Sequence, residues 1–221
     1  MQNPVAHIIS GQTFWVYPER CLWWEEENTL IVADTHLGKT GHFRKSGIAV
    51  PQDIYKADLQ RLMTMITRCQ AERLLIVGDF SHSRFNRELD LFMKWRRDLP
   101  GLQIDLIRGN HDILEEDWYT DAAIRVHEER LMINGFNFRH DPQDKVPPET
   151  EPVRYSFTAH VHPGIILRGT ARQTLKFPCF YFARDYCILP AFSRFTGTYT
   201  VRPEKGETVY AISANELIRI G

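Results

Sequence analysis

Residues 106–112 read LIRGNHD: an apolar run that stops at a glycine and then delivers an amide, an imidazole and a carboxylate in succession. A Gly-Asn pair alone is ordinary turn chemistry. Three polar side chains of three kinds ask for another explanation. Four other segments stop in the same way: VADTH at Asp34 and His36, VGDF at Asp79, FRH at His140, and TAHVH at His160 and His162. The groups Asp34, His36, Asp79, Asn110, His140, His160 and His162 offer oxygen and imidazole nitrogen and no thiolate. They are too many for one ion. They suit two divalent ions sharing a carboxylate, and Mn²⁺, Fe or Zn²⁺ rather than Ca²⁺. Two ions about 3.5–4 Å apart polarise a water and clamp both oxygens of an in-line phosphoryl displacement. Asp-x-His and Gly-Asp are, taken singly, common turn sequences. His-x-His on a strand sets both rings on one face. Gly-Asn-His-Asp is the most specific element, and the ordered set exceeds what independent turns would produce.

Such groups converge only if they sit at strand ends, because α/β sheets gather ligands at the carboxyl edge. The surrounding pattern supplies those strands. Residues 13–24 and 29–34 read as strands separated by the acidic turn EEEN, and 73–79 as a short apolar strand covered on both faces. Residues 102–110 and 154–160 are further strands. In 131–140 an Asn-Gly pair between apolar stretches marks a hairpin. Residues 51–70 open with proline and carry Ile54, Leu59, Leu62, Met63 and Ile66 near helical spacing; 86–99 is a second helix with Leu89, Phe92 and Met93 on one side. Residues 141–153 are acidic and proline-rich, a surface loop. The last 60 residues hold several β-like stretches. The alternation of strand and helix followed by strands predicts an α/β fold with a mixed sheet or two packed sheets.

The bulk numbers exclude several classes. A chain of 221 residues with 43% hydrophobic and 25% charged residues is ordinary globular material, without a repeat or a linker that would divide it, so one domain over 1–221 is expected. The net charge of −1 provides no global basic field for nucleic acid. Cys21, Cys69, Cys179 and Cys187 form no Cys-x-x-Cys pair, against a disulfide framework or a thiolate zinc site. The N-terminal stretch MQNPVAHIIS lacks a signal-peptide pattern, and no window reaches a membrane-spanning apolar length, so a cytoplasmic protein is expected.

The ordered set resembles the calcineurin-like metallophosphoesterase superfamily, with its pattern of Asp-x-His, Gly-Asp, Gly-Asn-His-Asp/Glu, His and Gly-His-x-His. More narrowly, ADTHLGK (33–39), GDFSHS (78–83), RGNHD (108–112), HVHPGIILRG (160–169), RQTLKFPCF (172–180) and LPAFSRFTG (189–197) resemble the PdeM family of bacterial ligase-associated DNA damage response endonucleases. The resemblance implies a four-layer αββα sandwich of two mixed β-sheets flanked by helices. It implies that Asp34, His36 and His162 hold one metal, that Asn110, His140 and His160 hold the other, and that Asp79 bridges. It makes His111 the group that protonates the leaving oxygen or stabilises transition-state charge, with Asp112 orienting its ring. The implied activity is a two-metal phosphodiesterase, a DNA endonuclease in repair, with Mn²⁺ favoured by the donor chemistry and Fe or Zn²⁺ also fitting. DNA is the implied substrate, with an ATP-dependent DNA ligase, a helicase and an exonuclease as functional associates. Ala159 stands where the pattern has glycine, as do Ser193 and Thr198, so tighter packing and altered loop geometry are expected there.

A phosphomonoesterase or nucleotide hydrolase on the same core remains an alternative, as does a non-catalytic scaffold, although the latter type lacks the catalytic histidine that His111 supplies here. Lys39, His42, Arg44 and Lys45 between glycines read either as a solvated loop or as a phosphate-backbone contact. His82 and Arg84 read either as substrate contacts or as part of a helix start capped by Ser81 or Ser83. Arg168, Arg172 and Lys176 read as a basic strip or as a solvated face. His7 and His127 are expected to be structural, and the aromatic stretches to be core.

Overall fold

The computed structural model describes residues 3–39, 54–82, 87–143, 152–169, 173–214 and 216–221. Two mixed sheets face each other, with helices on the outside of the first. The seven-stranded sheet runs β1 (Val5–Ile9), β2 (Gln12–Tyr17), β3 (Cys21–Trp24), β4 (Thr29–Ala33), β5 (Arg73–Val77), β6 (Gln103–Ile107) and β7 (Ile124–His127) in spatial order. Its first four strands are antiparallel neighbours, and β4 to β7 are parallel. The parallel strands read as continuous apolar runs because both faces are covered. On the outer face, α1 (Ile54–Cys69), α2 (Arg87–Asp98) and α3 (Glu116–Asp121) bury Leu59, Leu62, Met65, Ile66, Leu89, Phe92, Trp95 and Tyr119 against Leu30, Val32, Leu74, Ile76, Ile104 and Leu106.

The nine-stranded sheet contains β8 (Leu131–Ile133), β9 (Phe136–Phe138), β10 (Tyr155–Thr158), β11 (Pro163–Arg168), β12 (Thr174–Phe182), β13 (Tyr186–Ile188), β14 (Tyr199–Thr200), β15 (Thr208–Ser213) and β16 (Glu216–Ile220). Strand β12 is the hub: its first half pairs with β11 and its second half with β13 and β15. The core between the sheets is aromatic, with Phe14 and Trp24 from one sheet meeting Phe136, Phe138, Phe157, Phe180 and Phe182 from the other. Ile165, Cys179, Tyr181, Ile188 and Val209 form a third, smaller cluster, on the second sheet. All three described helices belong to the first sheet's cluster. No helix among the described residues is long and apolar enough to cross a membrane. All four cysteines are free.

Several expectations are corrected. The run 13–24 is not one strand: the turn 18–20 splits it into a hairpin, with Arg20 left-handed at φ 66° and its N–H donating to the Tyr17 carbonyl. Met63 is 37% exposed, and Met65 takes the core position, because the α1 face turns further than the assumed spacing. The Asn134-Gly135 hairpin is present, both residues at positive φ as a type I′ turn requires. Ser81 does not cap a helix; it bridges to Leu37, and α2 begins at Arg87.

Candidate metal centre

The parallel pairing of β4, β5 and β6 continues past the strand ends as a lacework of loop hydrogen bonds. Asp34 N–H donates to Gly78 O (3.2 Å), His36 N–H to Asp79 O (2.9 Å), Leu37 N–H to Phe80 O (2.8 Å) and Gly78 N–H to Ile107 O (2.9 Å). From the second sheet, Ala159 N–H donates to His140 O (2.9 Å). A strap from the same sheet lies against β4, with Phe192 N–H on Ala33 O and Ser193 N–H on Asp34 O. Arg61 and Arg20 hold that strap through the carbonyls of Phe192, Ala191 and Ser193. Ser193, buried, accepts Phe195 N–H with its own hydroxyl, and Thr198 packs at Gly164. Buried Ala159 adds its methyl to the aromatic core.

Five of the proposed ligands occupy the left-handed region: Asp34 (φ 49°), His36 (48°), Asp79 (44°), His160 (64°) and His162 (49°). Each such non-glycine residue costs roughly 1–3 kcal/mol, strain that persists where the surroundings impose it. The backbone is bent to aim these side chains inward. Glycine makes the approach possible. A Cβ on Gly78 would lie 1.8 Å from His140 Nδ1, and one on Gly109 would lie 2.3 Å from Asp79 Oδ1.

The side chains gather in two groups, Asp34 with His36 and His162, and Asp79 with His140 and His160; within each the donor atoms lie within 4.8 Å of one another. Asn110 Oδ1 joins the second, 3.2 Å from His140 Nε2. His160 and His162 lie beyond β10 and turn to different groups, so the expectation that both rings share a strand face is corrected. His36 Nε2 and His162 Nε2 approach to 3.2 Å, and His140 Nε2 and His160 Nδ1 to 3.1 Å. Asp34 spans the groups, one oxygen 3.4 Å from His162 Nε2 and the other 3.6 Å from His140 Nδ1.

Electrostatics point the same way. Burial and the nearby Asp79 carboxylate push Asp34 well above the usual carboxylate range. Burial drives His36 far down and His162 down to about 4, so both imidazoles stand neutral and ready to donate. Asp34 Oδ1 and His36 Nδ1 are buried without a hydrogen-bond partner. Buried acid facing neutral imidazoles, with an orphaned carboxylate oxygen, fits divalent cations.

His111 is half-buried beside these groups. Its N–H donates to Asp79 Oδ1 (3.0 Å), and its ring lies 4.4 Å from His82 and 5.9 Å from His36. Asp112 does not orient that ring. Its carboxylate accepts the backbone N–H groups of Ser81 and Gly109, both at 2.9 Å, which ties the two loops together. Lys39 is half-buried within electrostatic reach of Asp34 and Asp79. Arg168 and Lys176 lie on the β11–β12 hairpin. His42, Arg44, Lys45, Arg84 and Arg172 lie outside the described residues. His127 pairs with Asp105 (2.8 Å), a structural role. The motifs VGDF, RGNHD and LPAFSRFTG contain Gly78, Gly109 and the strap, but their packing roles, Gly78 against His140, Gly109 against Asp79 and the strap against β4, come from the structure.

A profile of the calcineurin-like phosphoesterase family matches residues 28–169. Among solved structures, Pseudomonas putida nuclease MPE superposes with a TM-score of 0.82 at 29% identity, covering 99% of this chain and 100% of that one. YfcE, a phosphoesterase from E. coli, gives a TM-score of 0.45 at 11% identity, over 87% of this chain and 97% of that one. No curated protein matches the sequence.

Proposed function

The chain belongs to the calcineurin-like phosphoesterase family, a hydrolase of phosphoester bonds that uses divalent metals, and from that premise we propose a two-metal nuclease that cleaves phosphodiesters, DNA being the favoured substrate and repair its setting. The observation that carries this reading is the two-group centre on a chain similar over its whole length to a bacterial nuclease.

Asp34, His36 and His162 would hold one cation, and Asn110, His140 and His160 the other. Asp79 extends from β5, the strand between those of Asp34 and Asn110, which supports its role as the shared ligand. Oxygen and imidazole donors without thiolate favour Mn²⁺, with Fe or Zn²⁺ as alternatives. When bound, such cations would supply positive charge to a water and to phosphoryl oxygens held between them. His111 holds a proton for the leaving oxygen. Its main chain is pinned to Asp79, and its ring is braced by His82. Lys39 and His82, together with Arg44, Lys45 and Arg84 outside the described residues, are the proposed phosphate contacts.

The test is metal content and turnover in the full chain. Elemental analysis and Mn²⁺ calorimetry should find two ions. Chelation should abolish hydrolysis of an oligonucleotide and of bis-p-nitrophenyl phosphate together, and Mn²⁺ should restore both. Asp79→Asn should weaken both binding events, because a neutral amide bridges two dications poorly. Unchanged two-ion binding in that variant refutes the bridging role. Preference for p-nitrophenyl phosphate over both diesters would favour a phosphomonoesterase instead.

A further inference from the structure

We propose that the groove beside β14 is the track on which a single nucleic-acid strand runs into the metal centre, an inference that rests on the nuclease reading. An open groove of ≈ 740 Å³ is lined by Lys176, Thr198, Tyr199, Thr200 and Arg202, among others. It adjoins the centre through the backbone. Tyr199 N–H donates to the carbonyl of His162, Val201 N–H donates to Gly164 O, and β14 pairs in parallel with the start of β11, directly after that histidine. The β14 end of the groove therefore lies beside the main chain of His162, and the proposed track leads from there to the His36–His162 group.

The lining matches such a strand. Lys176 and Arg202 are exposed cations, Thr198 and Thr200 add hydroxyls, and no carboxylate is among the described residues that line the groove. The Glu207 carboxylate accepts the Tyr181 hydroxyl and the Glu204 N–H. Lys176 donates to the Thr198 carbonyl, which holds its stem along the groove. Strand register pairs Lys176 with Ile166 and Thr174 with Arg168, so alternation puts Arg168 on the same face as Lys176 and extends the basic line along the hairpin. Tyr199 is 69% exposed on a two-residue edge strand. A tyrosine left to solvent beside two cations, one backbone hydrogen bond from a metal ligand, has the composition of a stacking platform for unpaired bases. In duplex DNA the bases are stacked on each other, and Tyr199 would have no such partner.

The test uses the full chain with Mn²⁺, a fluorescein-labelled oligodeoxythymidylate, a blunt duplex and bis-p-nitrophenyl phosphate. Lys176→Gln with Arg202→Gln should raise KM for the single strand about tenfold or more and flatten its log–log salt slope by about 1.4, two contacts at roughly 0.7 each. Tyr199→Ala should weaken single-strand binding about tenfold, while Tyr199→Phe keeps the ring and the affinity. Hydrolysis of the small diester should stay within about twofold in every variant, since no uniform binding to it has been removed. Unchanged oligonucleotide kinetics overturn the track. So does an equal loss on the small diester, or a Tyr199→Ala loss that is the same on duplex as on single strand. If wild type hydrolyses the small diester but no oligonucleotide, the nuclease reading itself fails, an outcome distinct from a nuclease indifferent to these variants.

Discussion

His111 and Asn110 are neighbours with different surroundings, which supports giving them different proposed tasks. Asn110 turns its amide oxygen to His140, whereas the His111 ring lies against His82 at the half-buried rim. A proton donor matters most when the leaving oxygen is a poor one. His111→Ala should therefore lose about 10²–10⁴-fold in kcat/KM on an oligonucleotide, roughly 3–5 kcal/mol of transition-state stabilisation. It should lose much less on bis-p-nitrophenyl phosphate, whose nitrophenolate leaves unprotonated, and it should keep its metal. His140→Ala should damage both substrates alike and lose metal. Equal losses from His111→Ala on both substrates, with metal retained, would leave His111 an electrostatic or positioning group. That these side chains gather in two groups was legible, because side-chain type and strand-end position carry that information. The role of Asp112 was not. Adjacency to His111 suggested contact, but a carboxylate one residue on could equally turn to backbone donors, and it does, at Ser81 and Gly109.

At the scale of elements, the strand-end loops act as a unit because glycine lets them close. Gly78 sits at φ +73°, and an added methyl would meet the His140 ring. That ring is wedged among Asp34, Asp79, Asn110 and His160. Gly78→Ala should displace His140, costing at least about 1 kcal/mol of stability from the left-handed backbone alone. It should also reduce metal affinity and activity on every substrate by at least about tenfold, the loss expected even from disturbing a ligand's support. Gly101 has open space around it and no left-handed φ, so Gly101→Ala should change stability by no more than about 1 kcal/mol, in the stabilising direction. Thermal melts and Mn²⁺ titration of both variants check this; a Gly78→Ala protein with native metal affinity would overturn it. Elements with strong periodicity or turn chemistry were legible: α1, α2, the parallel strands β4, β5 and β6, and the Asn134-Gly135 hairpin. Those missed were short or bore charge within the pattern. Strand β1 alternates exposed and covered residues over only five positions, α3 spans six residues, β7 is four long, and β16 interposes Arg219.

For the whole molecule, the alternation of elements left one mixed sheet or two packed sheets open and the family resemblance implied two, but neither told how their edges meet, because strand order depends on contacts between distant segments. His7 shows the consequence. As a lone histidine its structural role was legible, but its partners were not. It extends from β1 of the first sheet and stacks on Phe182 of the second, with ring centroids 3.9 Å apart. Its Nδ1 lies 3.1 Å from the Tyr210 hydroxyl. Burial, with Arg219 adding to it, lowers its pKa to about 4. The folded protein thus keeps His7 neutral, while the unfolded chain protonates it near pH 6.5. Below that value the unfolded state binds a proton that the folded state refuses. Stability from this group is accordingly full above about pH 6.5 and is lost as pH falls toward about 4. Two and a half pH units would correspond to roughly 3 kcal/mol; partial exposure of the ring discounts this to about 1–2 kcal/mol. His7→Phe preserves an aromatic stack on Phe182 and removes the titration. Urea unfolding followed by tryptophan fluorescence, at about pH 7 and about pH 4.5, should show wild type losing about 1–2 kcal/mol more than His7→Phe between the two conditions. Other titrating groups are common to both proteins and cancel in that difference. Identical pH dependence in the two would mean that His7 is protonated without opening the joint between the sheets.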